Sequence, residues 1–151
     1  MSKVKPAEPN HYPKTEGILY NYTSLKASVE NLQCQLAEME QDIVVSAMDY
    51  RKPAVQSSYT GSEVEAIVAA RDKRRTMLTR RLAKTERLIE AVDRAIGALE
   101  DQERDIITMR YLKGSPWYAI CHKVRYNERW CREIRRRAVD KVALAIFGAD
   151  I

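Results

Sequence analysis

Residues 99–147 read LEDQERDIITMRYLKGSPWYAICHKVRYNERWCREIRRRAVDKVALAIF, and their spacing decides the fold. The apolar positions recur at helical intervals and divide the stretch into three helices, the last loaded with arginine. Ser115 is placed to cap a helix whose first position is Pro116, where a fixed φ and a missing N–H cost nothing. That helix runs to about Lys123. Trp117, Ile120 and Val124 then stand at i, i+3 and i+7 as its core face, with small Cys121 beside Ile120 where the next helix crosses closely. The turn from Lys123 to Asn127 contains no glycine, so any positive φ there falls on a residue with a β-carbon. Asn127 is the expected N-cap of the last helix, and Cys131, Ile134, Ala138, Val142 and Ala145 mark its buried stripe. The opposite face carries Glu128, Arg129, Arg132, Arg135 and Arg136. Arg129, Arg132 and Arg136 share one side at i, i+3 and i+7, the side with which a helix-turn-helix enters a major groove.

Charge localises to the same place. Between Cys121 and Lys141 lie eight of the 26 basic residues and three of the 21 acidic ones, so the rest of the chain balances at 18 of each sign. A basic patch on a neutral background is the electrostatic footprint of nucleic-acid binding. A merely solvated arginine face is the bland alternative, but unbalanced charge beside a capped turn is costly to keep without a polyanion. The expected division of labour places Asn127, Glu128, Arg129 and Arg132 on base edges. Lys113, Ser115 at the start of its helix, Arg125, Tyr126, Arg135, Arg136 and Arg137 are expected on phosphates. Tyr126 has a second reading, as a cover for the turn. Trp117 and Trp130 have a base-stacking reading, but their spacing to Ile120 and Ile134 favours packing on or beside core faces.

Upstream, two heptad patterns organise the chain. Ile18, Tyr22, Leu25, Val29, Leu32, Leu36, Met39 and Ile43 follow a 4-3-4-3 seam, predicting a helix from about Thr15 to Tyr50. Arg51 to Gly61, with Pro53, two serines and Gly61, predicts a loop, and Ser62 with Glu65 forms a capping box. Val64, Val68, Leu78, Leu82, Ile89, Val92, Ile96 and Leu99 continue a second seam interrupted by Arg71, Arg75 and Thr85. Both helices reach roughly 50 to 55 Å, matched for an antiparallel hairpin; a homo-oligomer through the heptads is the competing packing. Arg71, Arg74, Arg75, Arg80 and Arg81 are read either as solvated partners of Asp72, Glu86 and acids of the first helix, or as a second DNA or polymerase contact. The expected fold is thus all-α: a flexible tail over 1–14, a coiled-coil-like hairpin over 15–98, and a small helix-turn-helix domain over 99–148.

Other functional classes have little support. Cys34, Cys121 and Cys131 form no CxxC pair, and no apolar leader opens the chain, which suits a reduced cytoplasm. No apolar run approaches the roughly 20 residues of a membrane span. His122 with Cys121 and Cys131 lacks a fourth ligand and matches no common zinc spacing. No nucleophile, base and carboxylate can be assembled, and no glycine-rich phosphate loop is present, so neither an enzyme nor a cofactor is expected.

The acidic-Arg pair Glu103-Arg104, the Met109-Arg110-Tyr111 triplet, Gly114 and the W-x-x-I helix from Trp117 to Ile120 resemble region 4 of the bacterial sigma-70 factors. With ILYNY at Ile18 to Tyr22 upstream, the chain resembles phage-encoded transcription regulators of the RinA and ArpU type over most of residues 16–148. The resemblance implies double-stranded DNA as partner, host RNA polymerase as a second one, and the bacterial cytoplasm as compartment. The last helix begins Asn127-Glu128-Arg129 where sigma-like readers often have Ser followed by Arg, so its base preference is its own. Two other classes share parts of the pattern: a small terminase-like DNA-packaging subunit, which assembles into rings, and a coiled-coil adaptor whose terminal domain binds an acidic protein.

Overall fold

The computed structural model describes residues 11–49 and 61–149, and every regular element among them is helical. In chain order these are α1 (His11–Tyr20), α2 (Tyr22–Asp49), α3 (Gly61–Gly97), α4 (Asp101–Ile107), a π-helical turn (Thr108–Leu112), α5 (Trp117–Val124) and α6 (Glu128–Phe147). No described helix is long and apolar enough to cross a membrane. The described residues divide into two units. One comprises those up to Lys26 and from Arg87 onward, and the other runs from Ala27 to Glu86.

The first unit differs from the expected boundaries. Residues 11–14, assigned from sequence to a tail, are helical, and the single helix expected from about Thr15 to Tyr50 is instead two, α1 from His11 and α2 from Tyr22, parted at Asn21; residues 1–10 lie outside the described ones. Leu19 and Thr15 are fully buried, and Tyr12 packs beside them. Neither Leu19 nor Thr15 belongs to the heptad seam, because here the helix turns a second face towards α6 and the π-turn. The Thr15 hydroxyl donates to the His11 carbonyl at 2.7 Å, which satisfies a buried polar group within its own helix. At Asn21, between α1 and α2, backbone N–H and side-chain amide both donate to the Gly17 carbonyl at 3.1 and 2.8 Å.

Leu19 joins a core with Tyr22, Val92, Ala95, Leu99, Ile107, Tyr111, Ala138, Val139 and Val142. The Tyr111 hydroxyl donates to Glu16 at 2.6 Å, tying the π-turn to α1. Burial, reinforced by that carboxylate, pushes the hydroxyl far above the usual tyrosine range, so it stays a donor. Glu103 performs a similar task between α4 and α6. It accepts the Glu100 N–H at 3.2 Å and the Lys141 ammonium at 2.6 Å, with little of its side chain exposed. Arg104 donates to the carbonyls of Leu99, Gly97 and Ile96, at 2.8, 3.1 and 3.4 Å. A cation thereby satisfies carbonyls that the end of α3 would leave orphaned.

A second, smaller core holds Ile106, Trp117, Ile120, Cys131 and Ile134, with Val124 and Tyr126 against it. The expected faces of α5 and α6 are therefore the buried ones, with one correction. Ala145 is exposed, and Val139 and Ala143 are buried in its stead, because α1 covers the later turns of α6 from a different side. Between α5 and α6, Arg125 takes the left-handed conformation, φ 58°, and its N–H donates to the Cys121 carbonyl at 2.8 Å.

In the second unit α2 and α3 run antiparallel, since Gln33 bonds Glu86 while Glu40 pairs with Arg75. Leu32 and Leu78, seam positions of the two heptads, are the residues buried there. Ser62, expected as a cap, lies inside α3 with Gly61 before it; Gly61 was assigned to the loop, whose other residues fall outside the described ones.

Replacing Glu103 by alanine strands Lys141 and an N-terminal N–H, and should cost about 1–3 kcal/mol in urea unfolding. Glu133→Ala, removing an exposed pair, should stay within about 0.5 kcal/mol. Equal losses would remove Glu103 from this role. At Arg125, where a β-carbon is strained, the Arg125→Gly protein should exceed Arg125→Val in stability by about 1–2 kcal/mol. Equal stability would exclude the left-handed turn.

Candidate nucleic-acid interface

The interface grows from the link between the π-turn and α5. Gly114, at φ 65°, reverses the chain after Lys113, and Pro116 takes the cap position of α5 with extended backbone. Ser115, expected to cap, has another task. Its N–H donates to the Met109 carbonyl at 2.8 Å and its carbonyl accepts from Arg110 at 3.4 Å. The next residue, Trp117, is buried at the start of α5 and becomes the centre of the site.

Three guanidinium groups gather on the Trp117 ring. Arg110 from the π-turn, Arg132 and Arg135 from α6 lie 4.9, 5.0 and 5.7 Å from its centroid. The negative face of the indole offsets part of their mutual repulsion, at about 0.5–2 kcal/mol per contact. The ring fixes positions without neutralising charge. Glu128 supplies one counter-charge, accepting from Arg132 Nε at 2.9 Å and Nη2 at 2.6 Å. Among the described residues no ion pair reaches Arg110 or Arg135, and the Nε of each is buried without a hydrogen-bond partner.

The α6 start is set by Asn127, whose side-chain oxygen accepts the Trp130 N–H at 2.8 Å. Its expected role as cap is the one observed, leaving its amide N–H groups for any other contact. Arg129 and Arg136, two turns apart, stand exposed beside Arg132, so Glu128, Arg129, Arg132, Glu133, Arg135 and Arg136 line one shallow open surface. Arg137 is elsewhere: it pairs with Glu133 at 3.5 Å and lies 5.3 Å from the Trp130 ring centroid. Trp130, read from spacing as core or nearly so, is exposed on that flank. Lys113 and Arg125 are exposed at the two turns. The Tyr126 hydroxyl donates to Gln102 at 3.1 Å, and its ring packs on the smaller core, which makes it a cover for the turn.

Two residues of the surface escape a reading by spacing. Arg110 sits in a π-turn, which helical periodicity misplaces, although its presence in the Met109-Arg110-Tyr111 triplet was the available signal. Tyr118, beside buried Trp117, is 79% exposed at the start of α5.

Cys121 and Cys131 belong to packing. Cys121 and Cys131 are free thiols with Sγ atoms 3.7 Å apart, and Cys131 is within 3.9 Å of the Tyr126 carbonyl. Burial, with Cys121 beside it, pushes the Cys131 thiol up to about 11, so it is protonated and unreactive at neutral pH. His122 is exposed, and no group of three potential metal ligands occurs among the described residues.

Comparison with known proteins yields one match. No curated protein matches the chain, and no solved structure does. Residues 12–143, from the first turn of α1 well into α6, match a family described as "Protein of unknown function (DUF722)", and the chain belongs to that family.

Proposed function

We propose that the unit containing α4 to α6 binds double-stranded DNA sequence-specifically, as the reader of a transcription regulator acting at promoters with host RNA polymerase. The observation that carries this reading is the arginine group on Trp117, continued by Arg129 and Arg136 along α6. Positive charge assembled on an aromatic platform, largely without acidic partners, favours a polyanion as the missing counter-charge. Its chain position, after the residues that resemble sigma region 4, supports the same reading.

The geometry supports a division of roles. Arg129 and Arg132, in the first turns of α6, are placed for guanine edges, with Glu128 aligning the Arg132 guanidinium through two hydrogen bonds. Arg110, Arg135 and Arg136 hold phosphates, with the α5 start, Lys113 and Arg125 extending the contact. Asn127, occupied through its oxygen as a cap, contributes its amide donors. Polymerase contact falls to residues outside this surface, and the likeness to phage-encoded RinA and ArpU-type regulators is the ground for including it.

Fluorescence anisotropy with DNA from upstream of the neighbouring genes, against shuffled DNA over a salt series, tests the proposal. A site-selective complex whose affinity falls steeply with salt is expected. Absence of binding to either DNA at low salt would transfer the arginine surface to an acidic protein. Arg132→Ala should cost about 1–3 kcal/mol on the cognate site and relax one base preference. Arg110→Ala should weaken all sequences alike and lower the salt slope by about one. Identical profiles for the two variants would remove the division between base and phosphate contacts.

A further inference from the structure

The antiparallel pairing of α2 and α3 uses one face of each helix and leaves a second apolar face on each. On α2, Leu32 is 5% exposed while Val45 and Met48 are 59% and 67% exposed. At 100° per residue, Val44, Met48 and Val45 lie roughly 100–200° around the helix from the seam residue Ile43. On α3, Leu78 is 9% exposed and Met77, about 100° away, is 56% exposed, while towards the start of the helix Ile67 is exposed together with the seam residues Val64 and Val68. Ala70 and Met77 share a shallow groove with Lys73, Arg74 and Arg81.

The two helices are opposite in charge here, with Glu40 and Arg75 already paired within the chain. Between Glu38 and Met48, α2 carries three acids and no base, while Gly61 to Arg81 of α3 carries six bases against three acids. An acidic helix and a basic helix on one unit are self-complementary, the condition for a two-fold contact between copies. We infer that Ala27–Glu86 is the dimerisation unit of this protein, each α2 outer face packing on the α3 outer face of a second copy to close a four-helix bundle.

The pair Glu40–Arg75 sets the level of the two helices within a chain. A two-fold axis along the bundle keeps that level between chains. Met48 then meets the partner's Ile67, Val45 meets the partner's Ala70, and Asp42 meets the partner's Lys73. Leu32 and Leu78 are buried within each chain, whereas the seam residues Ile43, Val64 and Val68, towards the end where α2 stops and α3 starts, are exposed. The interface stands or falls independently of DNA binding.

Sedimentation equilibrium of the full chain, 17.4 kDa, should give twice that mass in the micromolar range. Val45→Glu with Met48→Lys, both at exposed positions, should yield a monomer with unchanged helical circular dichroism. Asp42→Arg should weaken the dimer and adding Lys73→Glu should restore it. In a Val45→Cys, Ala70→Cys protein with Cys34→Ser, oxidation should form disulfides between chains, because the two positions face away from each other within one chain. A monomer at every concentration would overturn the inference and indicate that the outer faces are covered within one chain or by another protein. A ring-sized mass would overturn it in favour of a packaging-type assembly. Unaltered DNA binding by a monomeric Val45→Glu, Met48→Lys protein would leave the interface established and assign recognition to one unit alone.

Discussion

The placement of α6 depends on the Glu103 carboxylate. It is held from two directions, by the N–H at the start of its own helix and by the Lys141 ammonium. A nearly buried carboxylate with both oxygens engaged is far costlier to disturb than an exposed ion pair. One side chain thereby fixes where α4 begins and where the middle of α6 lies. Arg104, the next residue, seals the end of α3 through its carbonyls. The acidic-Arg pair is therefore a structural clamp, and the surface arginines inherit their positions from it.

Trp117 shows how packing and charge are joined. Its indole belongs to the smaller core with Ile120, Cys131 and Ile134, while the ring also carries three guanidinium groups over it. An alkyl residue would fill the same volume, yet it would offer no quadrupole to hold cations together. Cys131 lies in this core with Cys121 against it, and its protonated sulfur behaves as a small apolar group. Stability of the α5–α6 corner and organisation of the basic surface consequently share the same atoms.

Much of this corner was legible in the sequence. Trp117 with Ile120, Cys131 with Ile134 and Ala138, the Asn127 cap and a left-handed residue in a turn without glycine all follow from helical spacing and capping chemistry. The errors have a common cause. Spacing describes one face of a helix against one neighbour, whereas α1 and α6 each change neighbours along their length. Leu19 and Thr15 are buried off the heptad, and Ala145 is exposed although it stands on the expected stripe of α6. Trp130 was misread because a large ring at a stripe's edge gains cover from Arg137 without entering the core.

The same limitation bears on the Ala27–Glu86 unit. A heptad reading finds the seam that Leu32 and Leu78 close within the chain, and then counts every other residue as solvent-facing. Val44, Val45 and Met48 on α2, with Ile67 and Met77 on α3, do not fit that description. Exposed apolar residues scattered singly are ordinary, but a sustained outer face repeated on two paired helices is not. A two-helix hairpin buries only one side of each helix, and its arginine excess on α3 would repel a second α3 while attracting α2. The charge asymmetry thus selects the pairing of unlike helices that a two-fold bundle provides.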